Sequence, residues 1–378
     1  MKSKKLNISN SFLKFAALLL IFLNLLLGGI ANSYIYELTG FISFTILFLI
    51  VLNKKQKISF PTGSVIFAFF ISFQLISFIW TKNIFNSIEY ILLFVSSFFL
   101  YLFFYNFKEI KLKSIETLII LLGIVFGMLF IFTQIIPIPF LIKLLPQTYY
   151  SLYSPYSDNH NLIGDYWSII TIIAIYRFIN KKSLKNIFLI SLSLVFIVLS
   201  QSRSAFLGIL IPTYLLLHNQ ILSTTTKKYI QIFIYLVFGI FIFSSIGKTT
   251  IFARPYYIQG IFALVKKPFG VGMGNFRSFT NNVKFGLTFI PNSSAAKTHN
   301  IFLEIFSGIG IFGVSFILWL IVSLKKVIRN IEKVNFLYLL IFVAISVNFF
   351  FNVTYAIPTM LWIWFSILGI ILSESVKN

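Results

Sequence analysis

Cysteine is absent from the chain, so no disulfide, thiolate metal site or thiol nucleophile is available to it. Histidine is nearly absent: three residues are the whole supply of neutral imidazoles for base or ligand work. Charge is scarce as well, at 11% of 378 residues, where a soluble domain of this size carries about a quarter. Acids are the rarest charges, nine Asp and Glu against 31 Lys and Arg, which leaves a formal net charge of +22. No two of those acids have the spacing of a DxD pair, which argues against a metal-dependent nucleotide-sugar transferase. Neither a metal nor another cofactor is expected, and no nucleic-acid partner.

What fills the chain instead is apolar. Hydrophobic residues make up 58% of it, with Phe (48 residues) prominent. They gather in runs of roughly 17 to 25, the length that crosses a hydrocarbon layer about 30 Å thick. Those runs predict twelve helices, over 12–31, 34–52, 64–80, 84–106, 115–141, 162–179, 186–200, 204–221, 229–246, 300–323, 334–352 and 355–373. The fold expected is an all-α polytopic membrane bundle of about 12 transmembrane helices, one integral membrane domain over 1–378. Lys2, Lys4 and Lys5 precede the first run as in a secretion signal, but no small-residue cleavage site follows, and the run reads as a mature helix.

Basic residues stay on the cytoplasmic side of short loops, which sets the orientation. With both termini inside, 21 of the 31 cations fall on cytoplasmic segments. The short outer loops hold only Lys82, Lys143 and Arg203, and the long outer segment 247–298 holds Lys248, Arg254, Lys266, Lys267, Arg277, Lys284 and Lys297. That segment is short enough for the rule to apply and contains no acid, so its cations point to an anionic ligand or to lipid phosphates. Within this long cationic extracytoplasmic loop, taken as 247–299, residues 255–265 suit a short amphipathic helix opened by Pro255 and closed by Pro268. Gly270, Gly272 and Gly274 then alternate in a stretch whose amides are expected to approach a phosphate. No strand precedes it, so a dinucleotide fingerprint is excluded.

His299, where the loop enters the tenth helix, is the foremost base candidate, since an imidazole titrates near neutral pH and can take a proton from a sugar hydroxyl. The plainer reading makes it a neighbour of a helix cap at Asn300. His160 is a weaker candidate, and His218 reads as interfacial. Arg203, in Ser200–Gln201–Ser202–Arg203–Ser204, is a lone outer cation in a tight turn, and Arg254 opens the amphipathic piece. Guanidinium groups grip phosphate in a fork and keep their proton, so the pair suits a departing pyrophosphate. Glu37, Glu89, Asp165 and Glu304 lie near or inside spans but scattered in sequence; Glu304 is expected to pair with Arg203 or to orient an acceptor, with an interhelical salt bridge as the plainer alternative.

These residues resemble the O-antigen ligase and O-antigen polymerase superfamily of bacterial membrane proteins. Ser200–Ala205 looks like the family's Ser-Arg turn. Arg254 through Lys267–Pro268–Phe269–Gly270–Val271–Gly272–Met273–Gly274–Asn275–Phe276 looks like its arginine, short helix and glycine-rich segment, and Thr298–His299–Asn300 with Glu304, Gly308, Gly310 and Gly313 looks like its His-Asn helix. Asn159–His160–Asn161–Leu162–Ile163–Gly164 is similar to its Asn-containing helix entry. The likeness covers 200–313, and the first 150 residues share only their hydrophobicity.

The resemblance implies a bundle related to C-type glycosyltransferases, in the bacterial inner membrane with its active face outward. It implies a donor glycan on undecaprenyl pyrophosphate, and a glycan or lipid A-core acceptor. His299 would act on the acceptor hydroxyl and Arg203 and Arg254 would hold the pyrophosphate, with Asn300, Glu304, Asn161, Lys267, Gly270 and Gly272 as substrate-binding positions. A lipid-linked oligosaccharide flippase or secondary transporter is the competing class; it predicts charges near the bilayer midplane and a repeated half, whereas the candidates here gather at one mouth.

Overall fold

The computed structural model describes residues 10–30, 34–54, 58–107, 110, 112–132, 160–200, 202–219, 255–281 and 297–376. The expected helix 229–246, Arg254 and the side chain of His160 lie outside the described residues. All regular structure among the described residues is helical. In chain order it runs α1 (Asn10–Ile30), α2 (Tyr34–Lys54), α3 (Ser64–Ile76), α4 (Ile84–Asn106), α5 (Leu112–Phe130), α6 (His160–Asn180), α7 (Leu184–Ser200) and α8 (Arg203–Asn219). It continues with α9 (Pro255–Lys266), α10 (Phe276–Thr280), α11 (Ile301–Ile309), α12 (Val314–Arg329), α13 (Phe336–Phe351) and α14 (Pro358–Ser375).

Seven helical segments among the described residues are long and apolar enough to cross a membrane. Their outward faces argue the same way. On α1, Leu13, Ala17, Ile21 and Leu25 are buried, while the opposite face carries exposed Phe12, Phe15, Leu19, Leu23 and Leu27. A helix whose solvent face is as apolar as its core face fits hydrocarbon rather than water. The chain is therefore read as a multi-pass membrane protein.

α14 shows the other extreme. It is apolar all round, and every one of its residues is buried against neighbours that include α1, α4, α12 and α13. Gly28 and Gly29 of α1 and Gly40 of α2 permit the close approach, because a Cβ at Gly28 or Gly40 would run into the Trp362 ring and one at Gly29 into Phe126. Aromatic rings fill the space around α14: Trp319 stacks on Phe365 at 5.2 Å, and Phe67 stacks on Phe98 at 4.3 Å.

One expected helix is broken. The run 300–323 was expected to be continuous, but it stops at Ile309, passes through a 3-10 turn over Gly310–Gly313 and resumes as α12. Gly310 is left-handed (φ 64), and the next amide, Ile311 N–H, donates to the Pro268 carbonyl (2.8 Å) instead of continuing the helix. A non-glycine residue at 310 would place its Cβ against that carbonyl.

Candidate functional site

α11 begins with an unusual turn. Asn300 caps it: its Oδ1 accepts from Phe302 N–H (2.9 Å) and Leu303 N–H (3.1 Å), and its Nδ2 donates to the Phe350 carbonyl (3.2 Å). Just before the cap, His299 has φ 57, the only left-handed non-glycine among the described residues. Such a conformation costs of the order of 1 kcal/mol or more and persists only where its surroundings enforce it. They do so through Glu304, whose Oε2 accepts from Thr298 N–H (3.0 Å), Thr298 Oγ1 (3.2 Å) and the Tyr355 hydroxyl (3.1 Å), while Oε1 accepts from the Tyr90 hydroxyl (3.4 Å). The imidazole lies flat on Tyr256 of α9, rings 4.7 Å apart and 15° from parallel. The base candidate is thus aimed by a strained backbone and an aromatic floor.

Two expectations change here. Asn300 and Glu304 were expected to meet substrate, yet the Asn300 carboxamide is engaged in capping, and the Glu304 carboxylate is 2% exposed with both oxygens already accepting from the protein. Nor does Glu304 draw those bonds from Arg203. Their work is to hold the His299 turn. The scattered acids also converge: Glu37 of α2, Glu89 of α4 and Glu304 of α11 each interact electrostatically with Lys297. Acids of other helices thus lie within electrostatic reach of Lys297, which no count of charges within the loop could reveal.

The Ser-Arg turn is built around a second carboxylate. Asp165, fully buried in the first turns of α6, accepts from Ser202 Oγ (2.9 Å), Ser204 Oγ (2.7 Å), Asn352 Nδ2 (3.0 Å) and Thr354 Oγ1 (2.8 Å). Four neutral donors satisfy it where a salt bridge was the alternative expected. Gly164 makes the approach possible, since a Cβ there would collide with Ser202 and Ser200. The two serines flank Arg203, which is exposed at the N-terminus of α8. A cation there faces the positive end of the helix dipole, so helix stability does not account for it. Asn161 is half-buried in the first turn of the same α6.

The two clusters share a frame. Consecutive residues of the α13–α14 connection grip the two carboxylates, Thr354 holding Asp165 and Tyr355 holding Glu304, and the Phe350 carbonyl accepts from both Asn300 and the Tyr257 hydroxyl of α9 (2.9 Å). Arg203 and His299 therefore stand at one end of the bundle. Sequence reasoning missed Tyr256, Asn352, Thr354 and Tyr355; the last three sit at a polar break between two spans, which was the available signal.

The glycine-rich segment serves a different purpose from the one expected. Gly270, Gly272 and Gly274 are all left-handed (φ 84, 91 and 70), but the amides of Gly270, Val271 and Gly272 donate to the carbonyls of Lys267 (2.7 Å), Ser307 (2.8 Å) and Gly308 (2.8 Å). Those of Gly270 and Gly272 are not open to a phosphate. Asn275, 1% exposed and not foreseen, ties the loop to the α3–α4 turn: its Nδ2 reaches Thr81 Oγ1 (2.6 Å) and Ser87 Oγ (3.0 Å), and its Oδ1 accepts from Asn83 N–H (2.9 Å). Lys267 remains exposed at the edge of this loop. Among the described residues, no cluster of His, Asp and Glu has the makings of a metal site.

No family model matches the chain, and no curated protein has a significantly similar sequence.

Proposed function

We propose that the protein is a metal-independent membrane glycosyltransferase of the O-antigen ligase or polymerase type, acting on a glycan carried by undecaprenyl pyrophosphate at the outer face of the bacterial inner membrane. The acceptor hydroxyl oxygen attacks the anomeric carbon, and the bond from that carbon to the diphosphate oxygen breaks, its electron pair leaving with the diphosphate. His299 takes the hydroxyl proton, and Arg203 and Arg254 stabilise the charge that develops on the leaving group. The acceptor is a sugar of another glycan or of lipid A core.

The observation that carries this reading is the strained, aromatic-backed His299 standing at the same end of the bundle as the exposed Arg203. Strain of this kind gathers at functional sites, and a structural cap at Asn300 does not require it. The resemblance of 200–313 to the family adds the substrate class. In cells lacking the gene, plasmids carrying His299→Ala, Arg203→Ala and Arg254→Ala are expected to leave surface glycan untransferred at wild-type membrane abundance. Full transfer by His299→Ala would remove the base from the scheme. Loss of the gene should leave long lipid-linked chains unattached if the protein is a ligase, and single repeats if it is a polymerase.

A further inference from the structure

At the far end of α9 from the Tyr256–His299 stack, a second basic feature has the form of a binding site. A pocket of about 470 Å³ opens between the α3–α4 turn and the glycine-rich loop, lined by Trp80, Lys82, Lys267, Pro268, Phe269, Gly270, Val271, Ser278 and Phe279. Its two lysines come from segments far apart in sequence, and no acid lines it. The buried Trp80 indole N–H, which belongs to the lining, has no hydrogen-bond acceptor. A buried orphan donor is costly, and an anionic oxygen would relieve it. The walls are pre-formed, because Asn275, Ser87 (Oγ to the Met273 carbonyl, 2.8 Å) and Asn86 (Nδ2 to the Gly274 carbonyl, 3.1 Å) lock the loop onto α4.

The surroundings are greasy. Ile79 is 83% exposed, Val265 69% and Phe269 59%. Lysines and a half-buried tryptophan beside outward-facing apolar side chains mark the headgroup level of a bilayer. We propose that this pocket binds the phosphate of an anionic phospholipid, with Lys82 and Lys267 on the phosphate and an acyl chain lying over Phe269 and its neighbours. The reacting diphosphate is a poor match, since Lys267 lies about 16 Å along the helix from Tyr256. The site also answers a puzzle of orientation: Lys82 and Lys267 oppose the positive-inside preference, and a bound lipid phosphate supplies the compensation. The inference rests on the membrane reading and stands apart from glycosyl transfer.

The test uses the delipidated full chain, titrated with dioleoylphosphatidylglycerol and separately with dioleoylphosphatidylcholine, bound lipid being counted by native mass spectrometry. The wild type is expected to hold phosphatidylglycerol preferentially. Lys82→Ala with Lys267→Ala weakens it about thirtyfold, at about fivefold per lysine, and the paired arginine replacements restore it. Lys181→Ala with Lys182→Ala leaves it unchanged. Retention by the double alanine variant to within about twofold of the wild type overturns the proposal, as does equal binding of the two lipids. Preferential displacement of phosphatidylglycerol by a polyprenyl diphosphate overturns it too, making the pocket a donor site. Arg203→Ala, which should stop transfer but keep phosphatidylglycerol, separates failure of this site from failure of the proposed reaction.

Discussion

Replacing Asp165 by alanine removes the acceptor for Ser202, Ser204, Asn352 and Thr354 in one step, at a fully buried position. Hydrogen bonds to a charged group contribute about 1.5–3 kcal/mol each, but four times that figure overstates the loss. Ser202 Oγ and Ser204 Oγ already lie 3.1 Å apart, and Asn352 Nδ2 already reaches Ser204 Oγ at 3.0 Å, so some donors re-pair. The burial cost of the carboxylate also disappears with it. The remainder is a destabilisation of about 3–5 kcal/mol, as for other buried polar clusters that lose one member. Asp165→Asn keeps the shape but turns one acceptor into a donor, so about half of that loss is expected. Denaturation in mixed detergent micelles reads the stability, and glycan transfer per molecule of surviving protein reads the positioning of Arg203. A loss under about 1 kcal/mol for the alanine variant, with transfer intact, would refute the idea that this carboxylate organises the Ser-Arg turn.

His299→Gly should separate stability from activity: relief of the left-handed backbone is expected to raise stability by up to about 1 kcal/mol while transfer disappears, measured on one preparation by thermal unfolding and glycan gels. Gly272→Ala should cost about 1–3 kcal/mol and lower membrane abundance, because φ 91 suits no L side chain and the new methyl would strike Thr81. Glu116→Gln, which removes the charge but not the acceptor oxygen from the partner of Arg177 Nε (2.9 Å), should change stability by under about 1 kcal/mol, since the pair is partly exposed.

Spans were legible in the sequence because a bilayer imposes a length on any apolar run, and helices α1, α2, α4 and α7 begin and end within about two residues of their expected bounds. The amphipathic piece after residue 254 was equally plain, since Pro255 and Pro268 bracket it. The break at Gly310 was hidden, because its cause, the Pro268 carbonyl, lies over forty residues upstream. For the site, the turns carrying Arg203 and His299 stand out as charge exceptions. Their supports do not: Asn275, Thr354 and Tyr355 are ordinary polar residues whose meaning comes from partners on other helices, and Asp165, conspicuous as an acid near a span, shows its four partners only in the fold. Gly270 and Gly272 misled for a related reason, since glycine alternation signals close backbone approach without saying whether the neighbour is a ligand or another carbonyl.

α14 touches no lipid along its length, yet the ribosome makes it after the helices that enclose it. Those helices must wait in the bilayer with a central groove unfilled, and α14, which has the lowest mean hydropathy (1.3) of the candidate spans among the described residues, gains its stability chiefly from the walls of that groove. The connection that carries Asn352, Thr354 and Tyr355 arrives with it. Assembly of the mouth that carries Arg203 and His299 is thereby postponed until the bundle closes.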